Sequence, residues 1–255
     1  MICYSIFQTV MLKLPSWAQD LKDTFYLNFI MKKRYLYLVN GLLTTLKITL
    51  FAVLLGIALG IIAAIIRSTY DKTANEMRMG FGKTVLSILN AIVKVYLTVI
   101  RGTPVVVQLM ITYYIIFATS KNSVLVAVLA FGFNSGAYVA EIIRSGIMSI
   151  DNGQFEAGRS LGFNYIQTMV YIIIPQAFKN ALPALANEFI VLIKETSVSG
   201  YVGIMDLTRG GDVIRSRTYT AFMPLIAVAL IYLVIVIFFS RLVSVLERRL
   251  RNSER

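Results

Sequence analysis

Two uninterrupted apolar runs decide most of what this chain can become. Residues 48–66 (ITLFAVLLGIALGIIAAII) and 221–239 (AFMPLIAVALIYLVIVIFF) each hold nineteen residues without a charge. Wound as α-helix, such a run reaches roughly 28 Å, about the hydrocarbon thickness of a bilayer. Composition agrees, because only 15% of the 255 residues are charged and 57% are hydrophobic, against roughly 25% charged in an ordinary soluble domain. The expectation is an all-α integral membrane protein, since lipid offers the backbone no hydrogen-bond partners and a helix satisfies its own.

Five spans are expected: residues 48–66, 102–119 (GTPVVVQLMITYYIIFAT), 124–148, 180–199 and 221–239. Thr103-Pro104 suits a helix start, where the missing proline N–H is not needed. Residues 85–100, in an apolar segment with isolated Lys94 and Arg101, are expected as an interfacial helix leading into the second span. Residues 1–39 lack a basic leader and a small-residue cleavage site, so they are expected as an amphipathic surface segment, with Trp17, Phe25, Tyr26, Tyr35 and Tyr37 at the interface. The expected organisation is a transmembrane domain over 40–246, with a loop at 151–175, and a basic tail over 247–255.

Lysine and arginine number 25 against 13 acidic residues, but they fall in short segments between apolar runs and form no aromatic-interleaved patch, which argues against nucleic acid. Arg67, Lys72, Arg78 and Lys83, then Arg144 and Arg159, then Arg241, Arg248, Arg249, Arg251 and Arg255 all fall on one side of a five-span chain. That side is cytoplasmic by the positive-inside rule, which puts the N-terminus outside and the C-terminus in the cytoplasm. Lys32, Lys33, Arg34, Arg209, Arg215 and Arg217 run against that assignment. One cysteine, Cys3, and no histidine argue against a disulfide framework, a metal cluster and general-base chemistry, hence against an enzyme. "MRMGFGKT" (77–84) ends like a phosphate loop, but the first required glycine is Met77, so no nucleotide site is expected. Gly56, Gly60 and Ala64, and Gly132, Gly136 and Ala140, form four-residue stripes suited to close helix packing, within the chain or against a second copy.

Residues 154–177 (QFEAGRSLGFNYIQTMVYIIIPQA) interrupt this pattern with a polar island. Asp151 or Asn152 is placed to cap a helix over 153–161, and Gly162 to stop it in a left-handed conformation. Phe155 and Leu161 are expected as projecting apolar knobs among Gln154, Glu156, Arg159 and Ser160, fit for a partner's groove. Glu156-Ala157-Gly158, then Gly162, Ile172, Ile174 and Pro175 follow the spacing of the Glu-Ala-Ala loop of ATP-binding-cassette importer permeases, with Gly158 standing for the third alanine and Ile174 for leucine. Residues 41–49, 100–114, 136–150 and 173–197 extend the likeness, and the chain resembles the polar amino acid (histidine, glutamine and arginine) branch of that family.

The resemblance implies a type I importer permease fold of five transmembrane helices with a short cytoplasmic coupling helix. It implies a second permease copy or paralogue, two separate ATPase subunits that bind the ATP and magnesium, and an external solute-binding protein delivering an amino acid. Gln154, Phe155, Glu156, Ala157, Gly158, Arg159, Leu161, Gly162 and Pro175 would form the ATPase coupling site. No cofactor is expected in this chain. A secondary transporter or channel is the alternative, although no internal repeat supports it.

An ionisable side chain inside a span costs at least about 2.5–3.5 kcal/mol at the helix centre, so each invites a functional role. Glu141 is expected to hold an ammonium or cationic group of the substrate, or else to pair with Arg144 three residues on. Glu188 and Glu195 are further candidates, with Gln108, Asn134, Asn187, Thr196 and Ser197 as neutral partners. Arg101 is expected to anchor the cytoplasmic start of the second span more than to contact a carboxylate, and Pro175 and Pro183 to break the path into the fourth span.

Overall fold

The computed structural model describes residues 16–74 and 80–252, and these are helical in nine stretches. Five helices among them are long and apolar enough to cross a membrane: α2 (Tyr35–Thr73), α3 (Phe81–Gly102), α5 (Ser123–Met148), α7 (Tyr165–Val202) and α9 (Phe222–Asn252). Between them lie α4 (Val105–Ile116), α6 (Asn152–Ser160) and α8 (Leu207–Thr218), and α1 (Ser16–Phe25) precedes them all. The expected number of spans holds, but their limits move.

The second span is the clearest change. Residues 81–102 form one continuous helix of 22 residues, whereas the segment expected at 102–119 is split by extended backbone at Thr103 and Pro104 into the short α4. Pro104 fixes its own φ and pushes Thr103 out of the helical region, so the break falls where its ring demands it. Residues 67–73, expected as a connection, continue α2, because nothing in RSTYDKT stops a helix. The fourth span likewise starts at Tyr165 instead of residue 180, under an Asn164–Gln167 capping box. Pro175 and Pro183 therefore do not break the path: a π turn at Met169–Ile173 carries α7 past Pro175, and Pro183 lies inside the helix. The phosphate-loop lookalike ends in the first turn of α3; its Met77 lies outside the described residues.

Helix α5 sits at the centre, touching α2, α3, α4 and α7, and its contact with α2 is the most extensive between any two helices. Small residues make that contact possible. A Cβ on Gly56 would sit 2.9 Å from Ser135 Cβ, and one on Gly60 would sit 2.9 Å from the Ala140 backbone nitrogen. The two glycine stripes thus face each other within the chain, which settles their packing role in favour of close backbone approach. Along α2 the buried positions run Leu38, Gly41, Thr45, Ile48, Ala52, Gly56, Gly60 and Ala63, the three-and-four spacing of one helix face. Ile48, Ala52, Leu109, Ala127, Phe131 and Leu192 form the main core, joining α2, α4, α5 and α7.

The amphipathic segment expected over 1–39 is described from residue 16. Trp17, Leu21 and Phe25, four residues apart on α1, are all exposed. Lys32 and Lys33, both at φ 54°, turn the chain sharply before α2. Asn28 is fully buried there and accepts hydrogen bonds from the Thr218 and Thr220 hydroxyls at 2.9 and 2.7 Å.

Candidate functional site

Helix α6 lies between α5 and α7 in the chain, and each end is built from local sequence. Asp151 caps it, its Oδ1 accepting from the Gly153 amide at 2.6 Å. At the other end Phe163 N donates to Gly158 O at 3.0 Å and Gly162 N to Arg159 O at 2.9 Å, while Gly162 adopts φ 81°. These two bonds and the left-handed glycine form a Schellman stop, as expected of Gly162. The helix spans 152–160, one residue earlier than expected.

Phe155 corrects the expectation of two projecting knobs. Only 7% of it is exposed, and it packs with Ile147, Ile150, Met169, Ile173 and Ala177 at the junction of α5 and α7. The apolar ends of those helices supply a hydrophobic seat closer than any partner. Leu161, 72% exposed, does project, together with exposed Gln154, Glu156, Ala157, Arg159 and Gly162. Gly158 is buried, and a Cβ there would meet the Thr168 side chain at 2.7 Å, which accounts for glycine where the family spacing has alanine. Pro175 is exposed in the first turn of the main α-helical part of α7.

A cleft of about 700 Å³ opens between α5 and α7, lined among others by Arg101, Tyr138, Glu141, Ser145, Asn180 and Glu188. It brings together two of the predicted carboxylates but leaves them in different states. Glu141 receives Arg144 Nη2 at 2.7 Å and stands 3.6 Å from Arg101 Nη1. Glu188 accepts only the Ser135 hydroxyl, at 2.9 Å, among its described bonds. Of the alternatives raised for Glu141, the pairing with Arg144 is present, and the residue also lines the cleft.

The neutral candidates separate. Asn134 donates to Glu195 Oε2 at 3.2 Å, a second pairing of α5 with α7 seven residues along from Glu188. Gln108 Nε2 donates to Ile100 O at 2.7 Å and to Thr103, closing the end of α3 instead of entering the cleft. Thr196 is bound by its own helix through Ile193 O at 2.7 Å. Ser197 lines a different pocket, with Thr208, Arg209 and Asp212. Asn187 is exposed.

Arg101 lies in the last turn of α3, as an anchor would, and also stands beside a carboxylate, that of Glu141. It lies over the Tyr138 ring at 5.8 Å and faces the cleft instead of serving only as an anchor. A signal for the cleft was available in the spacing: Tyr138, Glu141, Ser145 and Ser149 recur every three or four residues and form one polar stripe along α5 and its C-cap.

Five apolar helices, a short capped polar helix at the foot of the central one and a charged cleft beside it define a membrane-embedded component of a transport system. The chain belongs to the family of binding-protein-dependent transport system inner membrane components, whose sequence pattern matches residues 56–252. It is similar to the putative glutamine transport system permease protein GlnP of Rickettsia typhi, 36% identical over 222 residues, covering 85% of this chain and 94% of that protein. The arginine transport system permease protein ArtQ of Bacillus subtilis is 41% identical over 162 residues, which are 62% of this chain and 74% of that one. Among solved structures, a crystal structure of an amino acid ABC transporter with histidines superposes with a TM-score of 0.74 at 42% identity, covering 86% of this chain and 96% of that one. An independent channel or ion-coupled carrier is not favoured by these likenesses.

Proposed function

We propose that this chain is the permease subunit of an ATP-driven importer of polar amino acids. A second copy or a paralogue completes the pathway, two ATPase subunits hold the ATP and magnesium, and a solute-binding protein delivers the cargo from outside. The chain itself carries no cofactor and performs no hydrolysis. The N-terminus lies outside and the C-terminus in the cytoplasm of a bacterial inner membrane, so that α6 meets the ATPases through exposed Leu161, Glu156 and Arg159 while Phe155 fixes it to α5 and α7.

The observation that carries the substrate assignment is the charge pattern of the cleft. Among the described residues Arg101 has one ion pair, long at 3.6 Å, beside its place over the Tyr138 ring, and its guanidinium is well shaped to pair an α-carboxylate. Glu188 has no cation among its described contacts and suits an ammonium or a cationic side chain. Glu141, held by two arginines, orients Arg101 more than it binds cargo. Asn134 and Glu195 continue the polar face along α5 and α7.

Reconstitution in liposomes with the ATPase and binding protein tests this. Uptake should require ATP, and Glu188→Gln should lower uptake of cationic amino acids roughly tenfold relative to neutral ones, the loss of one charge-assisted contact. Uptake without ATP overturns the importer; equal loss for every amino acid removes Glu188 from cargo selection.

A further inference from the structure

The last two turns of α2 carry polar side chains that reach three other helices. Arg67 Nη1 donates to Asn90 Oδ1 of α3 at 3.2 Å. One turn further, Asp71 Oδ2 accepts from Arg144 Nη1 of α5 at 3.3 Å. Its neighbour Lys72 donates from Nζ to Asn152 Oδ1, on the first residue of α6, at 2.8 Å, and stands 4.5 Å from the centroid of the Phe155 ring.

These contacts join two places otherwise described separately. From α6 the path runs through Asn152 to Lys72, one peptide bond to Asp71, then to Arg144, to Glu141 at 2.7 Å and to Arg101 at 3.6 Å in the cleft. Because residues 71 and 72 share one rigid helical turn, displacing α6 must either pull the end of α2 or break the Lys72 contact. Moving α2 in turn must either pull Arg144 or break the Asp71 contact. The Asp71 and Arg144 side chains are 28% and 26% exposed. Ion pairs so placed add little to stability and exchange partners at low cost, which suits a contact remade in each cycle.

We infer that the Asp71–Lys72 end of α2 is a relay that transmits movement of the coupling helix through Arg144 and Glu141 to Arg101 in the cleft, an inference that rests on the importer function proposed above. Asp71 and Lys72 are positioning residues, and neither lines the cleft.

The test uses the assembled transporter in liposomes, with Asp71→Asn, Lys72→Met, the double variant and the conservative Lys72→Arg. ATP hydrolysis is read alone and with amino-acid-loaded binding protein, beside uptake. Basal hydrolysis should be unchanged in every variant, while its stimulation by loaded binding protein falls roughly fivefold in each single variant, a typical size for a site-to-site coupling. In a series relay the double variant is no worse than the poorer single one, and Lys72→Arg restores stimulation. Stimulation equal to wild type in both single variants overturns the relay, as does a double variant whose loss is the product of the two. If Asp71→Asn fails to accumulate, Lys72→Met against Lys72→Arg decides alone. A wild-type assembly that transports while its variants match it sinks only the relay; one that transports without ATP sinks the importer function and the relay together.

Discussion

Helices α5 and α9 are both apolar, yet the less apolar of the two is the one inside. The most apolar 18-residue window of α5 has a mean hydropathy of 1.7 and is 67% buried, while that of α9 reaches 2.9 and is 11% buried. A water-soluble fold would order them the other way, because burial there is driven by removing apolar surface from water. In lipid no such drive exists between helices, and what gathers them is close packing of small residues and hydrogen bonds that lipid cannot offer. Helix α5 has both: Gly132, Gly136 and Ala140 against α2, and Asn134 and Ser135 bonded to Glu195 and Glu188. Helix α9 has little of either: Val228 packs against Leu207 and Ile214, but Leu225, Leu230, Leu233, Val234 and Phe238 face outward.

A matched pair of truncations gives the largest effect. Phe131 on α5 is completely buried, whereas Phe238 on α9 is 58% exposed. Phe131→Ala should destabilise the subunit by about 3–5 kcal/mol, through lost contacts and the cavity left between α2, α4 and α5. Phe238→Ala should change the thermal midpoint in detergent very little. Equal losses would break the contrast, because they would mean that α9 is as tightly packed as α5.

The next effect is smaller and runs in the opposite direction along the same comparison. Val234, near the middle of α9, is 65% exposed. Facing lipid, Val234→Lys should cost about 2.5–3.5 kcal/mol of membrane insertion, read by a glycosylation-tag insertion assay. Ready insertion would show that this face of α9 borders water and would sharpen the search for a second aqueous path.

The same contrast explains how much of the molecule was legible in the sequence. The runs at 48–66 and 221–239 were plain because hydropathy alone signals a span, whichever way the helix faces. Gly162 as the stop and a cap at Asp151 or Asn152 were plain because turn and cap chemistry is local, and the structure places the cap at Asp151. Limits that depend on neighbours were not: α3 reads as interfacial because Lys94 and Arg101 interrupt its apolar run, and only its place against α2 and α5 shows one helix of span length. Phe155 failed for a related reason, since a phenylalanine on a polar segment looks like a docking knob until Ile147 and Ile173 are seen to cover it. In the site, the individual carboxylates were visible as exceptions in apolar runs. Which of them had already been neutralised was not, because Glu141 and Glu188 differ only in partners supplied by other stretches of chain, Arg101 and Arg144 for one and Ser135 for the other.

The smallest effect tests the loop that fastens α9 to the rest. Asp206 is fully buried and caps α8, its carboxylate accepting from the Thr208 and Arg209 amides at 3.2 and 3.1 Å. Burial pushes its pKa up from 3.8 to about 6, against the lowering effect of those amides. Between those values the folded loop holds a proton that an unfolded loop would release, so the contribution is fully present below the ordinary carboxylate range and is lost as pH rises through about 6. The carboxyl group therefore holds residues 206–211 most firmly in mild acid, and hydrogen exchange of the Leu207–Gly211 amides, corrected for intrinsic rates, should quicken between pH 5 and pH 7. Asp206→Asn keeps the capping acceptor but cannot ionise, so it should flatten that profile while leaving α5 protected. A profile just as steep in the asparagine variant would assign the pH response to another group and leave α9 joined to the bundle by side-chain contacts, among them Leu207, Ile214 and Val228 and the Phe189–Phe239 ring pair.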